Sequence, residues 1–213
     1  MMKKNLSLSL GLVVFSLMPY ADAQGVLVES WENTLNGWAV DTGGNPGYTS
    51  SFSSLSGVTA GSFSLALTGT NGPTYGNMLS SAFQSSYTTV LGSSSAVTLD
   101  VFTPSASFGF FLQIQFWINN ADTGYQQLTS YLATTIGSET TLTFPIPPAI
   151  SSTLAASSNP TQMGFQMGGG YSSGNETMYL DNLQAISTPE PGTAALFGLG
   201  ALSLLIRRRR KTC

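Results

Sequence analysis

Histidine is absent from this 213-residue chain, and its one cysteine is the last residue, Cys213. No disulfide can form within the chain, and histidine or cysteine metal sites are excluded. A cysteine-free interior suits an oxidising compartment, where a stray thiol is a liability. Cations are as scarce. All seven basic residues are terminal, Lys3, Lys4 and Arg207 through Lys211, and none lies between Gln24 and Thr188. That stretch holds Glu29, Glu32, Asp41, Asp100, Asp122, Glu139, Glu176 and Asp181, a formal charge of −8 with nothing opposing it. A nucleic-acid binder needs cations to displace counterions from phosphates, so nucleic acid is excluded as a partner. Anionic lipid is disfavoured on the same ground.

The same absences narrow the chemistry. Without His, Cys, Lys or Arg, the central stretch cannot build Ser-His-Asp, Cys-His or Ser-Lys nucleophile systems. Phosphoryl transfer lacks its cationic clamps. A two-carboxylate glycosidase is the mechanism left on paper, and none of the acid pairs has a distinguishing context. No catalytic residue is assigned, and the chain reads as non-enzymatic.

What is present organises the chain into three parts. Residues 1–23 have the layout of a secretory signal peptide: Lys3 and Lys4, an uncharged run from Leu6 to Met18, then Pro19 and the small residues of Ala21-Asp22-Ala23. Cleavage there would leave Gln24 as the new N-terminus. Residues 188–213 form a tail, with Pro189-Glu190-Pro191, then fifteen uncharged residues from Gly192 to Ile206, then a basic end at 207–211. At ~1.5 Å per residue the apolar run covers about 22 Å, a short transmembrane helix against a hydrocarbon core of ~30 Å. Arginines at its end can snorkel and the bilayer can thin. The basic flank sets that side as cytoplasmic, which puts the central part outside.

The tail resembles the PEP-CTERM sorting signal, through Pro189, Glu190 and Pro191, the short apolar helix, and Arg207, Arg208, Arg209 and Arg210. The resemblance implies delivery through a secretion translocon and recognition by an exosortase-type transpeptidase. It further implies transient anchoring in the inner membrane with a cytoplasmic C-terminus. The final location is then the cell surface or an extracellular polysaccharide or biofilm matrix.

Residues 24–187 show short alternating apolar runs separated by turn signals such as Asn71-Gly72-Pro73 and Gly168-Gly169-Gly170. Phe63, Leu65 and Leu67 form one such run; Val97, Leu99 and Val101, Leu142, Phe144 and Ile146, and Met163, Phe165 and Met167 form others. Many short strands predict an all-β fold, an antiparallel β-sandwich or barrel. The clearest strand is predicted over Phe110–Asn119. Its one face, Phe110, Leu112, Ile114, Phe116 and Ile118, is core. Its other face, Phe111, Gln113, Gln115, Trp117 and Asn119, mixes amides with aromatics.

Trp31-Glu32 before Gly37-Trp38, and Tyr179-Leu180-Asp181-Asn182 near the end, resemble jelly-roll domains of the carbohydrate-binding-module-like or galactose-binding-like kind. The resemblance implies that the first and last strands lie side by side. It also implies that Glu32 and Asp181, with Glu29 and Asp41 as weaker neighbours, could hold a structural Ca2+; the alternative is that these are solvated surface acids. Gln113, Gln115, Trp117 and Asn119 make a candidate glycan platform, since rings pack on sugar faces and amides pair with hydroxyls. The alternative is that other parts of the chain cover that face. Tyr125, Tyr131 and Tyr171 are candidate rim residues, whereas Trp31 and Trp38 read as packing residues. The leading functional expectation is a non-catalytic exported protein that contacts polysaccharide. A purely structural glycosylated matrix protein and a small glycoside hydrolase are the alternatives.

Overall fold

The alternating runs become strands wherever every second side chain is apolar and the partner strand matches that pattern. A computed structural model describes residues 24–42, 47–69, 74–104, 111–170 and 176–187. Its strands are β1 (Gly25–Glu29), β2 (Trp38–Val40), β3 (Tyr48–Ser53), β4 (Ser64–Gly69), β5 (Thr74–Ser81), β6 (Ser94–Phe102), β7 (Phe111–Asn120), β8 (Gly124–Gln127), β9 (Leu132–Ala133), β10 (Glu139–Pro145), β11 (Thr161–Gly170) and β12 (Glu176–Ser187). Two short helices, α1 (Ser85–Gly92) and α2 (Pro148–Ala156), interrupt them. Gln24–Ser187 is one compact unit. The expected signal peptide, the sorting tail with its apolar run, Phe110 and Tyr171 lie outside the described residues. Among the described residues no helix is long and apolar enough to cross a membrane.

The strands form two antiparallel sheets. The first has the order β10-β6-β12-β4-β3, with β1 also paired to β12; the second has β2-β5-β11-β7-β8, with β9 beside β7. Their inner faces meet through aromatic rings: Phe116 of β7 lies 5.6 Å from Phe144 of β10, and Phe165 of β11 lies 6.1 Å from Phe144. Around them Leu65, Leu67, Leu99, Leu112, Ile114, Ile118, Met163 and Leu180 are fully buried. Each large apolar side chain withdrawn from water contributes about 1.5–3 kcal/mol. The predicted fold class, an all-β sandwich of antiparallel strands, is what forms. Trp31 and Trp38 are buried and pack edge to face at 5.6 Å, and Trp38 stacks on Phe165.

Three details differ from expectation. The strand predicted over Phe110–Asn119 runs from Phe111 to Asn120. Phe63 precedes β4 rather than joining it. The two helices were unanticipated, because each spans about two turns, too short for an apolar period to show. Helix α1 buries only Tyr87, Thr88 and Leu91, and α2 buries only Leu154 after starting on Pro148, a residue suited to a first helical turn.

β1 and β12 do lie side by side, with Gly25 opposite Ile186. Ser187 donates its backbone N–H (3.2 Å) and its hydroxyl (2.9 Å) to the carbonyl oxygen of Gln24. The connection from β3 to β4, residues 54–63, returns across the outer face of the first sheet. Gly57 lies against Tyr179 and Phe102 there, and the backbone N–H groups of Thr59 (2.6 Å) and Ala60 (2.7 Å) donate to Asp181.

Candidate functional site

Charge is divided between the sheets. β2, β5, β7, β8, β9 and β11, which build the second sheet, contain no Asp, Glu, Lys or Arg. Five of the eight central acids, Glu29, Asp100, Glu139, Glu176 and Asp181, sit on strands of the first sheet. The outward face of the second sheet is therefore uncharged.

Strand β7 places Gln113, Gln115, Trp117 and Asn119 in one outward row, because its inward positions are taken by Leu112, Ile114, Phe116 and Ile118. The row is more covered than a bare platform. Trp117 is 4% exposed. The Tyr125 ring covers it from β8, with centroids 5.3 Å apart, and beneath it lies Gly164 of β11. Any Cβ at 164 would occupy the space of the Trp117 ring. Gln115 is also buried, and its Nε2 donates to the carbonyl oxygen of Thr129. Gln113 and Asn119 are half-buried. The ring that meets solvent is Tyr125, 48% exposed.

The centre of the face is Gln166, which stands opposite Gln115 in the β11–β7 register. Its Nε2 donates to the Tyr125 hydroxyl at 2.9 Å and to Asn77 Oδ1 at 3.1 Å. Its Oε1 accepts from Gln127 Nε2 at 3.3 Å and from the Tyr131 hydroxyl at 3.5 Å. Tyr131 lies over Gly168, where a Cβ would come within 2.9 Å of the ring. Two outward glycines of one strand thus leave room for two aromatic rings, one on each side of Gln166. Burial pushes the Tyr125 phenol above its ordinary pKa, so it stays a hydroxyl at neutral pH. Gln115 Oε1, Trp117 Nε1 and Thr129 Oγ1 are buried without a partner, an acceptor, a donor and a hydroxyl on one strip. Leaving such groups unpaired costs about 1–3 kcal/mol each.

Sequence reasoning weighed Tyr125 and Tyr131 only as rim residues and missed Gln166, Gln127 and Asn77. The available signal was the outward series Gln162, Gly164, Gln166, Gly168, in which amides alternate with gaps.

The four calcium candidates are placed differently. Glu32 accepts the Ser62 N–H on both carboxylate oxygens, at 3.1 and 2.9 Å. Asp181 is fully buried; its Oδ2 accepts from Thr59 and Ala60, and its Oδ1 accepts the Asn182 N–H at 2.7 Å. These two acids do converge on the 54–63 connection, but they face N–H donors, whose positive ends would oppose a cation. Glu29 holds the turn that follows it, and Asp41 sits at the end of β2, where its backbone pairs with Met78 and Tyr48. Among the described residues no three acidic, His or Cys side chains come together as a metal site requires. In Glu32 and Asp181 the carboxylates are thus engaged by N–H groups rather than grouped with the further oxygen ligands that calcium takes.

The acids of the first sheet carry a pH signature. Burial pushes the Asp181 carboxyl above its ordinary pKa, against the pull of its N–H donors. Glu139 is raised too, by burial first and then by the charges of Asp100 and Asp181. A group whose pKa is higher folded than unfolded stabilises the fold at low pH, and that contribution is lost as pH rises through the folded value. Asp122 acts oppositely: the Ser157 hydroxyl and the Asn159 amide hold it low, so its contribution fades only below the usual carboxylate range. Thermal melting followed by circular dichroism is expected to give a higher Tm at pH 4 than at pH 8, because pH 4 lies near the ordinary values of 3.8 and 4.5 from which Asp181 and Glu139 are raised. An equal or lower Tm at pH 4 would contradict this.

Comparison with known proteins adds two findings. Residues 187–210 match the PEP-CTERM protein-sorting motif. No curated protein matches the chain. Among solved structures, a carbohydrate-binding module described in a study of promiscuous specificity in the β-sandwich superfamily aligns with a TM-score of 0.53 at 16% identity, over 76% of this chain and 62% of that one. This chain thus spans less than two thirds of its length. The family 11 module of Clostridium thermocellum, in complex with a β-1,3-1,4-mixed-linked tetrasaccharide, aligns with a TM-score of 0.51 at 14% identity, over 80% of this chain and 99% of that one. The tandem CBM22 domains of Paenibacillus barcinonensis Xyn10C align with a TM-score of 0.50 at 16% identity, over 81% of this chain and 49% of that one. At these identities the likeness is one of fold. The chain carries a PEP-CTERM sorting motif behind a folded unit that resembles the β-sandwich carbohydrate-binding modules.

Proposed function

We propose that this is an exported, non-catalytic protein that binds uncharged carbohydrate on the outward face of its second sheet. Residues 187–210 serve as its sorting signal. An exosortase-type transpeptidase is the processing partner, the inner membrane is a transient anchor through 192–206, and the destination is the cell surface or the polysaccharide matrix. The observation that carries the reading is the charge-free face built around Gln166, with the Tyr125 and Tyr131 rings and the Gln127 and Asn77 amides gathered on it. Sugars are recognised by that combination of apolar ring faces with paired donors and acceptors. The sandwich fold supports the reading, and so does the sorting motif, since polysaccharide is met outside the cell.

The test is affinity electrophoresis of the protein recovered from its producing cells, through gels containing a neutral β-glucan, a xylan or a uronic-acid polymer. Retardation by at least one neutral polymer is expected, with loss of that retardation in Tyr125→Ala while circular dichroism shows the variant still folded at the temperature of the gel. Retardation by none of them, or retardation untouched by Tyr125→Ala, overturns the proposal.

A further inference from the structure

Away from that face, a cavity of about 390 Å³ opens between strand β1 and helix α1. One edge of β1 pairs with β12; among the described residues no strand pairs with its other edge, and α1 stands beside it. The hydrocarbon of Val26 and Val28 from β1 and of Val90 from α1 lines the walls. The polar lining is Glu29, Asn36, Gln84 and Ser86, with Tyr87 beside them.

Glu29 is unusual among these groups. It is 8% exposed. Its Oε1 accepts three donors: Ser30 N at 3.0 Å, Trp31 N at 2.8 Å and Asn36 Nδ2 at 2.9 Å. Among the described residues nothing donates to its Oε2. No Lys, Arg or His exists between Gln24 and Ser187 to serve as counter-ion. Glu29 is thus a nearly buried carboxylate at the edge of an aliphatic cavity, with Oε1 taken by the protein, Oε2 left to the solvent side and no cation on the domain to pair with it.

The chemistry of a suitable guest follows. An anion would meet the Glu29 charge. A purely apolar guest would strip water from Oε2 and give it no donor, which is unfavourable. An ammonium on an aliphatic stem satisfies both parts: the stem lies on the valines and the head donates to Oε2 in a charge-assisted hydrogen bond. Seven further carboxylates on the domain, unopposed, raise the local concentration of any cation. We propose that the cavity between β1 and α1 binds an aliphatic ammonium group, presented either by a free diamine or by a lysine side chain of another protein. This site is separate from the carbohydrate face, and each can fail without the other.

The experiment is calorimetric titration of the full chain, purified in a neutral detergent. The ligands are 1,5-diaminopentane, 1-pentanol, pentanoate and the blocked tripeptide acetyl-Val-Lys-Val-amide. Saturable binding of the diamine is expected, with the alcohol and the acid at least tenfold weaker. Whichever of diamine and tripeptide binds tighter identifies the source of the ammonium. Glu29→Gln is expected to weaken diamine binding at least tenfold while its amide oxygen still accepts the Ser30 and Trp31 N–H groups. Should that variant melt early, Ser86→Trp decides instead: Ser86 is an exposed α1 residue on the cavity rim, and the added ring blocks entry with Glu29 intact. Pentanol binding as tightly as the diamine overturns the proposal. So does diamine binding that survives Ser86→Trp, since the amine would then be sampling the acidic surface at large.

Discussion

Replacing Gln166 by alanine is expected to weaken the binding of neutral polysaccharide at least tenfold while shifting Tm by no more than about 4 °C. The variant removes an amide that donates to Tyr125 and Asn77 and accepts from Gln127 and Tyr131. A side-chain hydrogen bond contributes about 1 kcal/mol net, and a tenfold loss in affinity needs about 1.4 kcal/mol. Losing the orientation of two rings exceeds that threshold. Stability suffers less, because Gln166 is only half-buried and water can replace its bonds. Gln127→Ala removes one of the four contacts and is expected to fall between wild type and Gln166→Ala. Polysaccharide affinity that is unchanged in Gln166→Ala would show that the hub does not organise the site.

The second large effect falls on the other sheet. Asp181→Ala is expected to destabilise the domain by about 3 kcal/mol, lowering Tm by roughly 6–12 °C. The carboxylate takes the backbone N–H groups of Thr59, Ala60 and Asn182, and Thr59 adds its hydroxyl at 3.3 Å. Without it, donors in the 54–63 connection lose their partner where that connection lies on Phe102 and Tyr179. The single carboxylate thus does what a bound cation does elsewhere, tying a loop to a strand. Millimolar calcium or EDTA is accordingly expected to leave the wild-type Tm unmoved. A large rise with calcium, or an Asp181→Ala variant as stable as wild type, would refute this account.

Much of the architecture was legible because the strands obey one rule. Leu112, Ile114, Phe116 and Ile118 alternate with polar or amphipathic residues, and that period can only be a sheet with one buried face. The pairing of first and last strands was also anticipated, from the motifs at the two ends. The helices were not, because Tyr87 and Leu91 are too few apolar positions to declare a period. The site was half legible. The amide-aromatic row on β7 announces itself within ten residues. Gln166 does not, because its importance comes from Tyr125, Asn77, Gln127 and Tyr131, which register and tight turns bring together from three other segments. The acids were placed near the right loop, but composition alone does not reveal that N–H groups would occupy them.

β12 has neighbours on both edges: β6 along one, and on the other β4 near its start and β1 near its end. Any force transmitted through Ser187 therefore acts along a strand gripped from both sides, so its hydrogen bonds are loaded in shear rather than unzipped one by one. Gln24 lies beside Ser187, so the strand that bears the load is braced by the strand that opens the domain. Under the proposed function, with the chain held by its tail and the second sheet on a polymer, drag would load β12 in shear, and that strand is expected to be among the last to yield.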